Sequence, residues 1–176
     1  MYMLIAQLIG FIGPGLYVIS FQCKSSRKLL ILQLVGSLAY AVSIFMLGGY
    51  SGFAVAVIAV LNYLILSYGI ATNHRWACWK GWGVVFTLLY IGATAMTWQG
   101  WFDILPCIGT GSTTLTNWTR NGKKIRIARL FVNSPTWMIY DFFAHSYSGV
   151  ISEIISIISI LISVYRYGWD ELDRTD

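Results

Sequence analysis

Residues 29–71 read LLILQLVGSLAYAVSIFML, then GGYSG, then FAVAVIAVLNYLILSYGIA, and this stretch contains no charged residue. Each apolar run is close to the length of about 20 residues that a helix needs to cross the hydrocarbon core of a bilayer. The glycine-rich segment 48–52 between the runs is a turn signal. The stretch therefore predicts two transmembrane helices joined by a tight turn.

The composition of the whole chain agrees with a membrane environment. Its 176 residues are 57% hydrophobic and 11% charged, whereas a soluble domain has about 25% charged residues. One domain of this length cannot bury that much apolar surface in its own interior. The composition argues against a soluble enzyme, a nucleic-acid-binding module and a disordered chain. It predicts a single transmembrane domain, 1–176, surrounded by membrane lipids.

Five further apolar segments extend the pattern to both ends of the chain. We predict seven transmembrane helices, at 1–21, 29–47, 53–71, 81–97, 104–118, 127–144 and 149–164. All 12 Lys and Arg residues then fall in the loops 23–28, 72–80 and 119–129 and in the tail. By the positive-inside rule these segments are cytoplasmic, so the N-terminus is outside and the C-terminus is cytoplasmic. The net charge of +5 is thus a topology signal and a surface for anionic lipids, and no nucleic-acid partner is expected.

An internal repeat divides these helices into two halves. A shift of 97 residues places Tyr50-Ser51-Gly52 on Tyr147-Ser148-Gly149 and Tyr40 on Trp137. The halves are residues 1–71 and 102–165, with a linker helix at 80–99 and a cytoplasmic tail at 166–176. Because three is odd, the linker gives both halves the same orientation, as in transporters built from parallel repeats. The predicted fold is an all-α membrane protein with seven transmembrane helices in a 3+1+3 arrangement.

Three segments carry a resemblance to a known family: FQCKSSRK at 21–28, LPCIGT at 105–110 and WMIYD at 137–141. Over nearly the whole chain, the sequence resembles the YgjV-type family of bacterial inner-membrane proteins. The 3+1+3 layout is also similar to that of the SWEET sugar facilitators, the PQ-loop proteins and the PnuC vitamin transporters, through architecture and not through a shared motif. The resemblance implies a multi-pass inner-membrane carrier for a small polar solute (a sugar, a vitamin or a nucleoside-like molecule) that works by alternating access.

Polar side chains at membrane depth are the candidate solute contacts, because they are costly in lipid and usually face the interior of a bundle. The repeat pairs Asn62 with Ser159 and the aromatic residue Tyr40 with Trp137. The resemblance to SWEET-like carriers implies a solute contact for Asn62, a pattern from which Ser159 departs, and a pocket-lining role for the aromatic pair. The candidate set is Asn62, Tyr40, Trp137, Asn133, Thr110, Ser112, Asn117 and Ser159. Helix packing is the alternative role for these side chains, and the sequence leaves it open.

The fifth span carries the sequence GTGSTT at 109–114 and is too polar to face lipid. Together with Pro106, this composition predicts a broken or loosely wound helix that exposes backbone groups to a ligand. We expect Pro135 to kink the sixth span in a similar way.

Three acidic residues and one histidine fall near the predicted outer ends of the last three spans: Asp103, Asp141, Glu153 and His145. They predict a cation-attracting vestibule or a proton-binding site, or else side chains that meet water at the level of the lipid headgroups.

The sequence contains no recognisable metal-ligand cluster, cofactor motif or catalytic constellation. We therefore expect no metal, no cofactor and no enzymatic activity. The main interpretation is a solute carrier. The alternative is a membrane interaction or sensor protein whose polar core is purely structural, and a homo-oligomer is compatible with either.

Overall fold

The computed structural model describes residues 2–23 and 26–171. Its helices are α1 (Tyr2–Phe21), α2 (Ser26–Met46), α3 (Tyr50–Thr72), α4 (Trp82–Met96), α5 (Ile104–Asn117), α6 (Gly122–Ala128), α7 (Ser134–Phe143) and α8 (Tyr147–Glu171). A π-helical segment, Arg129–Asn133, joins α6 to α7. The described residues contain no β-strand, which confirms the predicted all-helical class. Lys24 and Arg174 lie outside the described residues, so their placement stays a prediction.

Four helices are long and apolar enough to cross a membrane: Met3–Phe21, Lys28–Met46, Tyr50–Thr72 and Tyr147–Trp169. They correspond to the first, second, third and seventh predicted spans. The helix α4 is apolar but has 15 residues, which corresponds to about 22 Å. Helix α5 and the continuous rod 122–143, formed by α6, the π-helical segment and α7, correspond to the fifth and sixth spans. Helix α8 continues past its predicted end at 164 to Glu171, with a break in helical geometry at Gly168.

Six of these rods pack side by side in a ring. Helix α1 packs against α2 and α8, and α2 packs against α3. Helix α5 packs against α3 and against the rod 122–143, which in turn packs against α8. The helix α4 packs beside α3 and α5, and it leaves side chains such as Leu88 largely exposed. Helices α1–α3 therefore form one side of the ring and α5–α8 form the other.

The sixth rod begins earlier than predicted. The predicted basic loop at 119–129 overlaps the start of the sixth span at 127, whereas α6 already begins at Gly122. The side chain of Asn121 accepts a hydrogen bond from the backbone amide of Lys124 at 3.0 Å, which is the geometry of a helix N-cap. Arg126 and Arg129 consequently lie on the rod and are buried. The prediction that both belong to a lipid-facing basic loop is wrong.

Helix α5 is regular, and the prediction that it is broken or loosely wound is wrong. Pro106 lies in its first turn, where a proline removes no intrahelical hydrogen bond. The hydroxyl of Ser112 donates to the carbonyl of Gly109 at 2.7 Å, so this polar side chain is satisfied within its own helix. Other polar residues of α5 are buried against neighbouring helices, as expected for a helix too polar for lipid: Thr110, Thr113, Thr114 and Asn117.

Helices α1 and α2 approach closely at two glycines. A Cβ atom on Gly13 would lie 2.7 Å from the carbonyl oxygen of Gly36, whereas a Cβ atom on Gly15 would have no heavy atom within 4 Å. We expect Gly13→Ala to lower the free energy of unfolding by about 1–3 kcal/mol, because the two backbones must separate. Gly15→Ala should leave it unchanged or raise it by up to about 1 kcal/mol, since alanine favours helix. Denaturant unfolding in detergent micelles measures both, and equal effects would contradict the close approach.

Candidate functional site

A cavity of about 50 Å³ lies between the two sides of the ring. Its walls are formed on one side by Pro14, Tyr17, Ser37, Tyr40, Ala56, Ala59 and Tyr63, and on the other by Thr110, Thr113, Arg129, Asn133, Trp137, Gly149, Ser152, Glu153 and Ser156. Among the described residues, α4 contributes none to these walls. The wall residues lie on α1, α2, α3, α5, the rod 122–143 and α8, and those of α8 fall within its first ten residues. It has room for about four water molecules.

The cavity contains a buried ion pair. Arg129 Nη2 lies 2.7 Å from Glu153 Oε1, and each of the two side chains is 10% exposed. The guanidinium carbon of Arg129 lies 4.8 Å from the centroid of the Tyr17 ring, which is within the range of a cation–π contact. An unpaired charge is very costly in a low-dielectric interior. Arg129 and Glu153 therefore stabilise each other in place.

Two aromatic residues that the repeat pairs with each other meet at the cavity. The rings of Tyr40 and Trp137 are edge to face, with their centroids 5.3 Å apart. The hydroxyl of Tyr40 donates to Asp141 Oδ1 at 2.5 Å, and Trp137 Nε1 donates to Thr110 Oγ1 at 3.0 Å. These hydrogen bonds fix the orientation of both rings. The pair thus forms a rigid aromatic wall that spans the two sides of the ring.

Four of the eight predicted solute contacts line the cavity: Tyr40, Trp137, Asn133 and Thr110. The amide nitrogen of Asn133 donates to Thr113 Oγ1 at 3.4 Å. This asparagine ends the π-helical segment just before Pro135, and irregular helical turns of this kind often occur at functional sites. The structure therefore brings residues of α2, α5 and the rod 122–143 together at one cavity.

The other four predicted contacts lie outside the walls of this cavity. Asn62 Oδ1 accepts a hydrogen bond from Trp118 Nε1 at 2.8 Å, and Ser159 Oγ donates to the carbonyl of Val18 at 3.1 Å. The Ser112 hydroxyl bonds within α5, as described above, and Asn117 is buried near the end of that helix. For Asn62 and Ser159, which bond to other helices, the geometry supports the alternative role, helix packing.

The three acidic residues have separate partners. Asp103 accepts hydrogen bonds from the backbone amides of Gln99 at 2.6 Å and Gly100 at 2.8 Å, and from the hydroxyl of Ser51. Asp141 accepts from Tyr40, and Glu153 pairs with Arg129, as described above. His145 is exposed. Within residues 2–23 and 26–171, no three His, Cys, Asp or Glu side chains converge on a position that could hold a metal ion.

Sequence reasoning missed Arg129 as a residue of the site, because it assigned every cation to a loop or the tail. Arg126 and Arg129 are three positions apart, and this spacing puts them on the same face of a helix. Glu153, within a long apolar helix, also required a partner of opposite charge. These two signals together could have placed an arginine inside the bundle.

The two sides of the ring are joined by hydrogen bonds at the end where α1 begins. The backbone amide of Ser148 donates to Gln7 Oε1 at 2.8 Å. The backbone amide of Gly52 donates to the hydroxyl of Tyr140 at 2.9 Å, and a Cβ atom at Gly52 would meet the Tyr140 ring at 2.6 Å. These bonds hold the two sides together at this end.

A second set of hydrogen bonds joins the two sides at the end where α1 terminates. The guanidinium of Arg126 donates to the carbonyls of Phe21 at 3.0 Å and Cys23 at 2.9 Å. Gln22 Nε2 donates to Ser159 Oγ at 3.0 Å. The carbonyl groups at the C-terminus of α1 have no helical donors, and the positive charge also complements the helix dipole. Hydrogen bonds therefore join the two sides of the ring at both ends.

The contacts of Asn62 make a testable prediction about stability. We expect Asn62→Ala to lower the free energy of unfolding by about 1–3 kcal/mol, because the buried N–H of Trp118 would lose its acceptor. Leu61→Ala is a matched control, since Leu61 is the preceding residue and is 51% exposed. Denaturant unfolding followed by tryptophan fluorescence measures both variants. Unchanged stability of Asn62→Ala would contradict a packing role.

Comparison with known proteins assigns the chain to a family. The model of the Imp-YgjV family, described as a bacterial inner membrane protein, matches residues 4–171. The chain belongs to this family, which confirms the resemblance found in the sequence. No curated protein and no solved structure matches the chain. The likeness to the SWEET, PQ-loop and PnuC proteins stays a prediction.

Proposed function

We propose that the protein carries a small polar solute across the inner membrane by alternating access between a first half, α1–α3, and a second half, α5–α8. The observation that supports this function best is the cavity between the two halves, to which both contribute polar walls and the second half contributes a buried ion pair. Buried ionisable groups are expensive in a membrane bundle and mark solute or ion pathways.

The packing order supports the proposed repeat. Going round the ring, the order is α1, α2, α3, α5, the rod 122–143 and α8. A rotation by half a turn would place α1 on α5, α2 on the rod and α3 on α8, which is the relation expected of parallel repeats. The residues Tyr40 and Trp137, paired by the 97-residue shift, contact each other at the centre. In this arrangement α4 is the linker.

The contacts at the two ends of the cavity support a mechanism. A cavity with room for about four water molecules is too small for a sugar or a nucleoside. Solute entry therefore requires the halves to separate at one end, through loss of the bonds of Gln7 and Tyr140 or those of Gln22 and Arg126. Rocking of one half against the other would break one set at a time and keep the membrane sealed.

The orientation of the chain is a separate prediction. We expect a periplasmic N-terminus and a cytoplasmic C-terminus, since exposed cations such as Lys28, Lys80 and Lys124 belong to segments on one side of a seven-span topology. Reporter fusions to each terminus, one active in the periplasm and one active in the cytoplasm, measure this orientation. Both termini on the same side would contradict an odd number of spans.

Uptake by reconstituted liposomes tests the carrier function. The solutes are labelled sugars, nucleosides, vitamins and amino acids, and we expect saturable uptake of at least one class, recovered chemically unchanged. Trp137→Ala should reduce this uptake at least about tenfold, the factor for one lost buried contact, whereas Leu88→Ala on the exposed face of α4 should not. If liposomes with the protein take up none of these solutes faster than empty liposomes do, the carrier function is wrong and the interaction or sensor alternative is favoured.

A further inference from the structure

We infer that the cavity recognises a small zwitterion, with the anionic group of the solute on Arg129 and its cationic group on Glu153. This inference rests on the proposed carrier function and specifies the solute class. The ion pair of Arg129 and Glu153 lies in the cavity wall, and the ring of Tyr17 lies against the guanidinium.

The ion pair is joined by a single hydrogen bond, which leaves one polar atom on each side chain able to bind a ligand. Arg129 and Glu153 meet through one contact, from Nη2 to Oε1, instead of the two parallel hydrogen bonds that an arginine and a carboxylate can form. Arg129 Nε and Glu153 Oε2 are buried and have no hydrogen-bond partner within the part of the chain that the structure describes. Buried polar groups are normally satisfied. A donor and an acceptor of opposite charge are thus available beside the same cavity.

Charge balance selects a zwitterion over other small solutes. An anion bound to Arg129 would displace Glu153 and leave that carboxylate buried without a partner, and a cation bound to Glu153 would do the same to Arg129. Either outcome is costly in a low-dielectric interior. A zwitterion supplies one partner for each charge and leaves the net charge of the site unchanged. A neutral polyol could not replace either partner of the ion pair.

The remaining walls fit the two ends of such a molecule. Tyr17 lies against the guanidinium of Arg129, and Tyr40, Tyr63 and Trp137 supply further ring faces and edges near the cavity. Aromatic rings attract an ammonium group by cation–π interaction. Glycine, with five heavy atoms, is a small solute that carries both charges and is therefore a suitable probe.

The test is binding and uptake of four small probes that differ in charge: glycine, acetate, methylammonium and glycerol. We expect the wild-type protein to bind glycine in detergent by calorimetry and to take it up in liposomes, in preference to the other three. Arg129→Gln and Glu153→Gln should each weaken glycine binding by about 10- to 100-fold, the factor for one hydrogen bond to a buried charge. Lys80→Gln, which removes an exposed cation, should leave binding unchanged.

The double variant Arg129→Gln/Glu153→Gln keeps the inference testable if a single variant fails to fold, because it removes both charges together. We expect it to fold and to lose glycine binding. If the protein takes up glycerol, a sugar or a nucleoside but not glycine, the zwitterion inference is wrong and the carrier function is still supported. Retained glycine binding in the folded double variant would also overturn the zwitterion. Uptake of no solute from either panel would overturn the carrier itself.

Discussion

Arg129→Gln and Glu153→Gln should each lower the free energy of unfolding by about 3–5 kcal/mol, the cost of breaking a buried ion pair by removing one partner. The physical reason is that each single variant leaves one charge in the interior, 10% exposed, without its counterpart. The double variant leaves two neutral amides, which can still bond to each other. We expect its stability to lie within about 2 kcal/mol of the wild type, since replacing both partners of a buried pair is often close to neutral.

Denaturant unfolding of the three variants in one detergent measures this coupling as a double-mutant cycle. A coupling free energy near zero, with both single variants as stable as the wild type, would mean that Arg129 and Glu153 do not meet inside the folded bundle. Lys124→Gln is a suitable reference, because Lys124 is an exposed cation on the same rod as Arg129.

Arg126→Met should lower the free energy of unfolding by about 3 kcal/mol, because three backbone carbonyls lose a charged donor. These carbonyls belong to Phe21, Cys23 and Gly122. The change should also free the end of α1 from the second half, so that Cys23 reacts faster with a membrane-impermeant maleimide.

The matched control for Arg126→Met is Lys124→Met, which makes the same change two residues away at an exposed position. We expect it to alter neither the stability nor the labelling rate of Cys23. Equal effects of the two substitutions would show that Arg126 does not hold the halves together at this end.

The sequence predicts the membrane-spanning elements well where they are long and apolar. The runs at 29–47 and 53–71 correspond to α2 and α3, because hydrophobic length alone determines such helices. The predicted start of the sixth span is wrong, because hydropathy treats Arg126 and Arg129 as loop residues. In the structure each arginine finds partners distant in the sequence, the carbonyls at the end of α1 for Arg126 and Glu153 for Arg129. A hydropathy profile alone does not reveal such partners.

The candidate site shows the same limit. The 97-residue shift singled out Tyr40 and Trp137, and their rings meet at the cavity. Polarity at membrane depth also identified Asn62 and Ser159, but polarity does not distinguish a solute contact from a hydrogen bond between helices. Asn62 bonds to Trp118 and Ser159 to α1. Side-chain direction, which decides between the two roles, depends on how each helix is rotated in the ring.

Accessibility of a cysteine at the cavity wall tests the central claim most directly. Ser156 lines the cavity and is 1% exposed, whereas Ile158 on the same helix is 50% exposed on the apolar surface. Each is replaced by cysteine in a chain whose Cys23, Cys78 and Cys107 are changed to serine, and labelled by a small charged thiosulfonate from either side of oriented vesicles. A thiol reacts as the thiolate, which forms where water reaches the side chain. If the protein alternates between two open states, we expect Ser156→Cys to be labelled from both sides, at least about tenfold faster than Ile158→Cys. Labelling of Ser156→Cys from neither side, or from one side alone, would contradict a solute path through the cavity between the halves.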